Sequence, residues 1–301
     1  MAPRLINDPP APGTDEWRSI LSASKIAAVL GISPWQSPYS LACEMTGLIP
    51  PSPVDEKMQD IFDYGHAAEH GMAAYWKMKN PDWDITEGEV AYMDDDLPFP
   101  LLVTVDRVVT HKETGKQRIL EMKTAQSMDS INKWGKPGEE NSVPPYYAVQ
   151  HLTQMGASGI HQGTVIMSGL GVPEMHYIKW TPIAWGRIVS RCKEFWGLIQ
   201  DGRLPELDDS VATFNAVRGL HPDIDRDSVY VVDEELALRL LRAKEMEQQG
   251  KEQYREARIE LMDKMGDKHR AVLDGTVIAQ RQGSKNGVNL ITKATVKDIT
   301  E

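Results

Sequence analysis

The chain has 301 residues, 41% hydrophobic and 26% charged, which suffices for a full core and for more than one folded unit. Its formal net charge of −11 excludes a protein that coats nucleic acid over its whole surface, though not one that draws DNA into a local basic channel beside an acidic site. No apolar run reaches membrane-spanning length and no signal-peptide core opens the chain. The expectation is therefore a cytoplasmic protein of a bacterium or phage-infected host, with Cys43 and Cys192 as reduced structural thiols.

Residues 1–15, rich in Pro, Gly and Asp, read as a flexible lead. Ser22 or Ser24 then caps a helix whose apolar face is Ile26, Val29 and Leu30 and which Gly31 ends. Such a start is either a plain serine cap or a phosphate seat. A loop over 33–38, with Trp35 in it, leads to a helix over 39–46, and Pro50 to Pro53 form a connector. A long helix over 56–77 carries Glu69 among small residues, which would let it pack closely on a sheet. Residues 84–92 read as one strand. The triplet Asp94, Asp95, Asp96 reads as a solvated turn rather than a metal site.

Residues 102–109 and 117–124 are β-branched runs around a polar, glycine-containing turn, which predicts a β-hairpin. Asp106 interrupts its first strand. Glu121 and Lys123 alternate with Leu120 and Met122, so they share one face. This is either an ordinary amphipathic hairpin or a site. Two acids suit a hard cation such as Mg²⁺, and a lysine beside them can orient water or steady charge on phosphate.

Residues 128–138 carry Lys133, Trp134 and Lys136 in a loop that either touches nucleic acid or is plain surface. Pro144 and Pro145 open a helix on which Tyr147, Gln150 and Gln154 share a face. Strands over 163–167 and 175–180 follow, then a helix over 183–201 with Ile188, Cys192, Phe195 and Ile199 as its stripe. His151 and His161 have no partner at metal-ligand spacing. Residues 206–232 read as a linker. Asp233 caps a helix of alternating charge through Met265, and a hairpin turning at 284–287 ends a C-terminal extension over 233–301.

The segments Ile20 to Ser24, Gly65 to Glu69, Val105-Asp106, Glu121-Met122-Lys123, and Tyr147 to Gln150 with Gly159 resemble, in this order, the YqaJ/lambda-exonuclease group of the PD-(D/E)xK nuclease superfamily. The likeness covers about residues 16–205, which would be the nuclease core. It implies an α/β fold, a restriction-endonuclease-like mixed sheet flanked by helices. It also implies one or two Mg²⁺ ions, replaceable by Mn²⁺, held by Glu69, Asp106, Glu121 and the Met122 carbonyl. Lys123 would position or activate the attacking water, and Gln150 would support Lys123 or that water. Ser24, with Ser22, Arg18 and Tyr147, would bind DNA and its terminal 5′-phosphate. The implied activity is 5′-to-3′ exonuclease action on double-stranded DNA ends, supplying single strands to an annealing protein, in several members as a ring trimer. The alternatives are an endonuclease or RecB-like nuclease on the same metal site, or a non-catalytic DNA-end-binding or assembly protein. Two positions depart from the pattern: Lys25 follows Ser24 where an acid is usual, and Arg18 stands one position from the family arginine.

Overall fold

The computed structural model describes residues 3–51, 53–139, 142–285 and 287–300. Met1 and Ala2 of the lead, Ser52 of the connector and Asn286 of the terminal turn lie outside them. The chain forms two units, Met1–Ile224 and Asp225–Glu301.

The first unit opens with strand β1 (Arg4–Ile6), helix α1 (Asp15–Ser19) and strand β2 (Leu21–Ser22). The lead is therefore not a free tail: β1 pairs antiparallel with the later strand at 90–93, and Arg4 meets Asp95 at 3.1 Å. Ser22 heads a 3₁₀ turn, Ala23–Lys25, without a side-chain cap bond, and α2 (Ile26–Val29) is a single turn. The helix expected from a serine cap to Gly31 is thus two short turns. Helix α3 (Pro38–Met45) follows a capping box made by Ser37 and Ser40.

Helix α4 (Glu56–Lys79) is capped by Asp55. Its C-terminal half packs through Met72 and Trp76, and no group lies within 4 Å of where a Cβ on Gly65 or Gly71 would stand. Met72 and Trp76 seat this helix, with the small Ala68 and Ala73 packed beside them. The strand expected over 84–92 is two: β3 (Trp83–Ile85) and β4 (Val90–Met93), in different sheets.

The same division occurs at Asp106. The apolar run splits into β5 (Leu101–Val105) and β6 (Arg107–His111), and the hairpin is β6 with β7 (Gln117–Thr124). The Asp106 carboxylate accepts the Met122 N–H at 2.5 Å, so a side chain supplies the acceptor where the chain bends between sheets. Helix α5 (Met128–Ile131), set by a Ser127–Ser130 capping box, lies in the segment expected to be loop. Helix α6 (Pro145–Ser158) ends at Gly159, left-handed at φ 72°. Strands β8 (Gly163–Ser168) and β9 (Glu174–His176) follow. β9 is shorter than expected: beyond it Trp180 stacks on His161, ring centroids 3.6 Å apart. Helices α7 (Pro182–Gln200) and α8 (Val211–Leu220) complete the unit. α8 lies within the stretch read as linker. Ser210 caps it, Thr213 donates to Ser37 at 2.7 Å, and Ala216 packs with Cys43 and Ile49.

One sheet runs β1-β4-β5-β2 and the other β3-β6-β7-β8-β9, each mixing parallel and antiparallel pairs. The architecture is α/β, a mixed sheet flanked by helices. β7 is the hinge of the core: Ile119 belongs to the cluster with α2, α6 and α7, whereas Leu120 and Met122 pack against α4. Behind it, α6 approaches β8 so closely that a Cβ on Gly163 would stand 2.0 Å from His151 Nε2. Gly163→Ala is expected to cost about 1–3 kcal/mol by overpacking, read by urea denaturation; unchanged stability would mean the two elements can part freely.

In the second unit α9 (Glu234–Met265), capped by Asp233, precedes β10 (Arg270–Leu273), β11 (Thr276–Ser284), β12 (Gly287–Thr292) and α10 (Lys297–Thr300). β10 adds a third strand to the expected hairpin. Met265, Ala279 and Leu290 form its core, and Tyr254 bonds Thr292 at 2.8 Å. No helix among the described residues is long and apolar enough to cross a membrane.

Candidate active site

Alternation along β7 turns Glu121 and Lys123 toward α6 and Met122 toward α4. Glu121 is 1% exposed, and a carboxylate there needs partners. It has three. Lys123 Nζ and Gln150 Nε2 donate to Oε1 at 2.5 and 2.6 Å, and Gln154 Nε2 donates to Oε2 at 2.6 Å. Gln154 also donates to the Thr104 carbonyl at 2.9 Å, and His151 Nδ1 lies 3.0 Å from Gln154 Oε1. Gln150, expected to support Lys123 or the water, donates to the same carboxylate oxygen as Lys123. Burial pushes the His151 imidazole down, and its Nδ1 is taken up by Gln154.

Asp106 stands where the two sheets meet. Burial drives its carboxyl well above the ordinary range, and Glu121 and Glu69 add to this while Lys123 opposes it. Burial opposes the Lys123 charge too, but Glu121 and Asp106 outweigh it and hold the ammonium above the usual lysine value. Lys123 is therefore a cation at neutral pH. Its Nζ lies 5.1 Å from the Tyr147 ring centroid.

Glu69 approaches from the α4 side. Burial raises its carboxyl, with Glu89 and Glu121 adding and His66 and Arg107 opposing. Carboxylate oxygens of Glu69, Glu89 and Asp106 lie within 4.8 Å of one another. Glu121 is close enough to repel both Glu69 and Asp106 but is not in that trio. The reason is the alternation of β7: its carboxylate faces α6, and Lys123, Gln150 and Gln154 hold it. An all-oxygen, mutually repelling donor set of this kind fits a hard divalent cation.

Three residues of this site were not singled out from sequence. Glu89 sits just before β4, in a segment that read as mid-strand. Arg107 is buried and donates to the Asp106 carbonyl at 2.5 Å; its only signal was a charge in an apolar run. Gln154 was seen on the right helix face, but its task was not.

The residues expected at a 5′-phosphate separate. Ser22 and Ser24 stay together, hydroxyls 3.1 Å apart, with Ser24 exposed. Arg18 instead pairs with Asp15 at 3.1 Å and lines a cleft of about 630 Å³ with Lys25 and Glu44, a cleft that neither serine lines. Lys25 uses its ammonium on the chain itself, donating to the carbonyls of Trp17, Arg18 and Ile20 at 2.6–3.0 Å beneath the Trp17 ring. It ties the end of α1 down and has no donor left for a phosphate.

Residues 16–161 match the model of the YqaJ-like viral recombinase domain. The matched segment runs from the first turn of α1 through α6 and contains every acid of the site, while the second unit lies outside it. The uncharacterized protein YqaJ of Bacillus subtilis (strain 168) is 25% identical over 149 residues, covering 48% of this chain and 42% of that relative; the match spans less than half the relative's length. The crystal structure of an alkaline exonuclease (LHK-Exo) from Laribacter hongkongensis matches at TM-score 0.46 and 19% identity, over 63% of this chain and 94% of that one. The crystal structure of SSO0001 matches at TM-score 0.40 and 11% identity, over 70% and 88%.

Proposed function

We propose that the YqaJ-like domain hydrolyses DNA phosphodiester bonds with divalent metal ions, as a 5′-to-3′ exonuclease on double-stranded ends that yields single strands for annealing. The observation that carries this is the meeting of Glu69 and Asp106 beside Lys123, from elements far apart in the chain, around a buried Glu121. Glu69, Asp106 and Glu89 would hold Mg²⁺, or Mn²⁺ in its place, with Glu121 and the Met122 carbonyl adjoining. Such an ion supplies a water nucleophile and a counter-charge for the phosphate oxygens. Lys123, fixed as an ammonium, orients the water and steadies negative charge by donating; it does not take the proton as a base. Gln150 and Gln154 keep Glu121 aimed. Double-stranded ends, an annealing protein and a homo-oligomeric ring are the partners this reading brings with it.

A blunt, 5′-phosphorylated duplex incubated with Mg²⁺ tests the proposal. Stepwise loss from 5′ ends is the expected result. Cleavage of closed circles would make the enzyme an endonuclease, and binding without cleavage in both Mg²⁺ and Mn²⁺ would refute hydrolysis. Within the acid set, Glu89→Gln is expected to weaken Mn²⁺ binding about tenfold by calorimetric titration. Unchanged affinity would remove Glu89 from the ligand set.

A further inference from the structure

Trp35 is 66% exposed, yet its loop is firmly built. Its N–H and that of Gln36 bond Ser33 Oγ at 3.2 and 3.3 Å, Gln36 bonds Glu44 at 2.8 Å, and Ser37 opens α3. The exposed ring is continuous with others. It meets Tyr146 edge-on at 5.1 Å and Tyr147 at 6.2 Å; Tyr147 meets Trp134 at 5.9 Å and carries the Lys123 ammonium. A line of rings so runs from open surface to the lysine of the active site. Exposed Lys133 and Lys136 flank Trp134.

A large aromatic held rigid in water has lost the freedom that binding would otherwise remove. Its unoccupied face suits the π-face of a nucleobase, and the lysines suit a phosphate backbone. We propose that Trp35 is a stacking platform for unpaired bases of the DNA strand that passes Lys123. The platform selects a strand with bases over a bare backbone. This inference rests on the nuclease reading.

The test uses the full chain without divalent metal, and fluorescein-labelled single strands, one complete and one carrying consecutive abasic sites, read by anisotropy. Trp35→Ala is expected to weaken binding of the complete strand about tenfold, the change one lost base–aromatic stack produces. Trp35→Phe should keep most of the affinity, and the abasic strand should not distinguish Trp35→Ala from wild type. Equal binding of the complete strand by wild type and Trp35→Ala overturns the platform and leaves the nuclease reading standing. An equal loss on both strands also overturns it, because the ring would then act on backbone or fold. A wild-type protein that binds neither strand and cleaves no duplex overturns both.

Discussion

Asp106→Asn is expected to lower Mg²⁺-dependent DNA hydrolysis by about a thousandfold or more and, at the same time, to raise the melting temperature of the metal-free protein. The two effects have one cause. Asp106 is a buried acid held close to Glu69 and Glu121. In the presence of a cation that crowding is the binding energy of the site; in its absence it is repulsion. The amide keeps an oxygen for the Met122 N–H but has no charge to repel or to bind. About 1 kcal/mol of relief would move the melting temperature by about 2–4 °C in a chain of this size.

The pH dependence follows from the same shift. Burial, then Glu121 and Glu69, raise the folded carboxyl above its unfolded value of about 3.9. The folded state then binds the proton more tightly than the unfolded state. This favours folding only while the acid is protonated, and is lost as pH rises through the folded pKa. In EDTA, wild-type stability should therefore fall as pH rises above the unfolded carboxyl's value, with a smaller fall in Asp106→Asn. Added Mg²⁺ should restore the wild type and leave the variant unmoved. Thermal melts across pH, with and without metal, read all of this. A wild-type cleavage rate in the variant would remove Asp106 from the chemistry, and a lower metal-free melting temperature would refute the repulsion.

The second large effect is on stability and concerns Gln154. Gln154→Leu is expected to destabilise the protein by about 3–5 kcal/mol, because it strips a buried carboxylate oxygen of its partner. It also leaves the Thr104 carbonyl and the His151 Nδ1–H without theirs. Gln150→Leu should cost only about 1 kcal/mol, since Lys123 still serves the Glu121 oxygen that Gln150 shares. Urea unfolding of the two variants checks the order. If Gln150→Leu were the more damaging, the network would not hold Glu121 as described.

The parts of this site that could be read from the chain are those whose geometry is local. Glu121 and Lys123 share a face because a strand alternates. Tyr147, Gln150 and Gln154 share one because a helix repeats near 3.6 residues. Long-range placement was not local. Asp106 marked an interruption in the apolar run but not that β5 and β6 belong to different sheets, because the bend is made by a bond from Asp106 to a residue sixteen positions on. That bend also breaks the expected strand over 84–92, so Glu89 was assigned to a strand rather than to the site. Helix α8 was hidden by Pro, Asp and Gly on both sides. The fifth motif gave Gln150 its prominence, whereas burial gives Gln154 the greater structural weight.

The clasp formed by Lys25 limits how the domain can be shortened. Cutting the chain at Ser19 would delete the Trp17 and Arg18 carbonyls together with the indole above the ammonium. A cation 6% exposed would be stranded next to the serines of the following turn. Fragments intended to isolate the half with the acid cluster must therefore retain the whole of α1, even though that helix holds none of those acids.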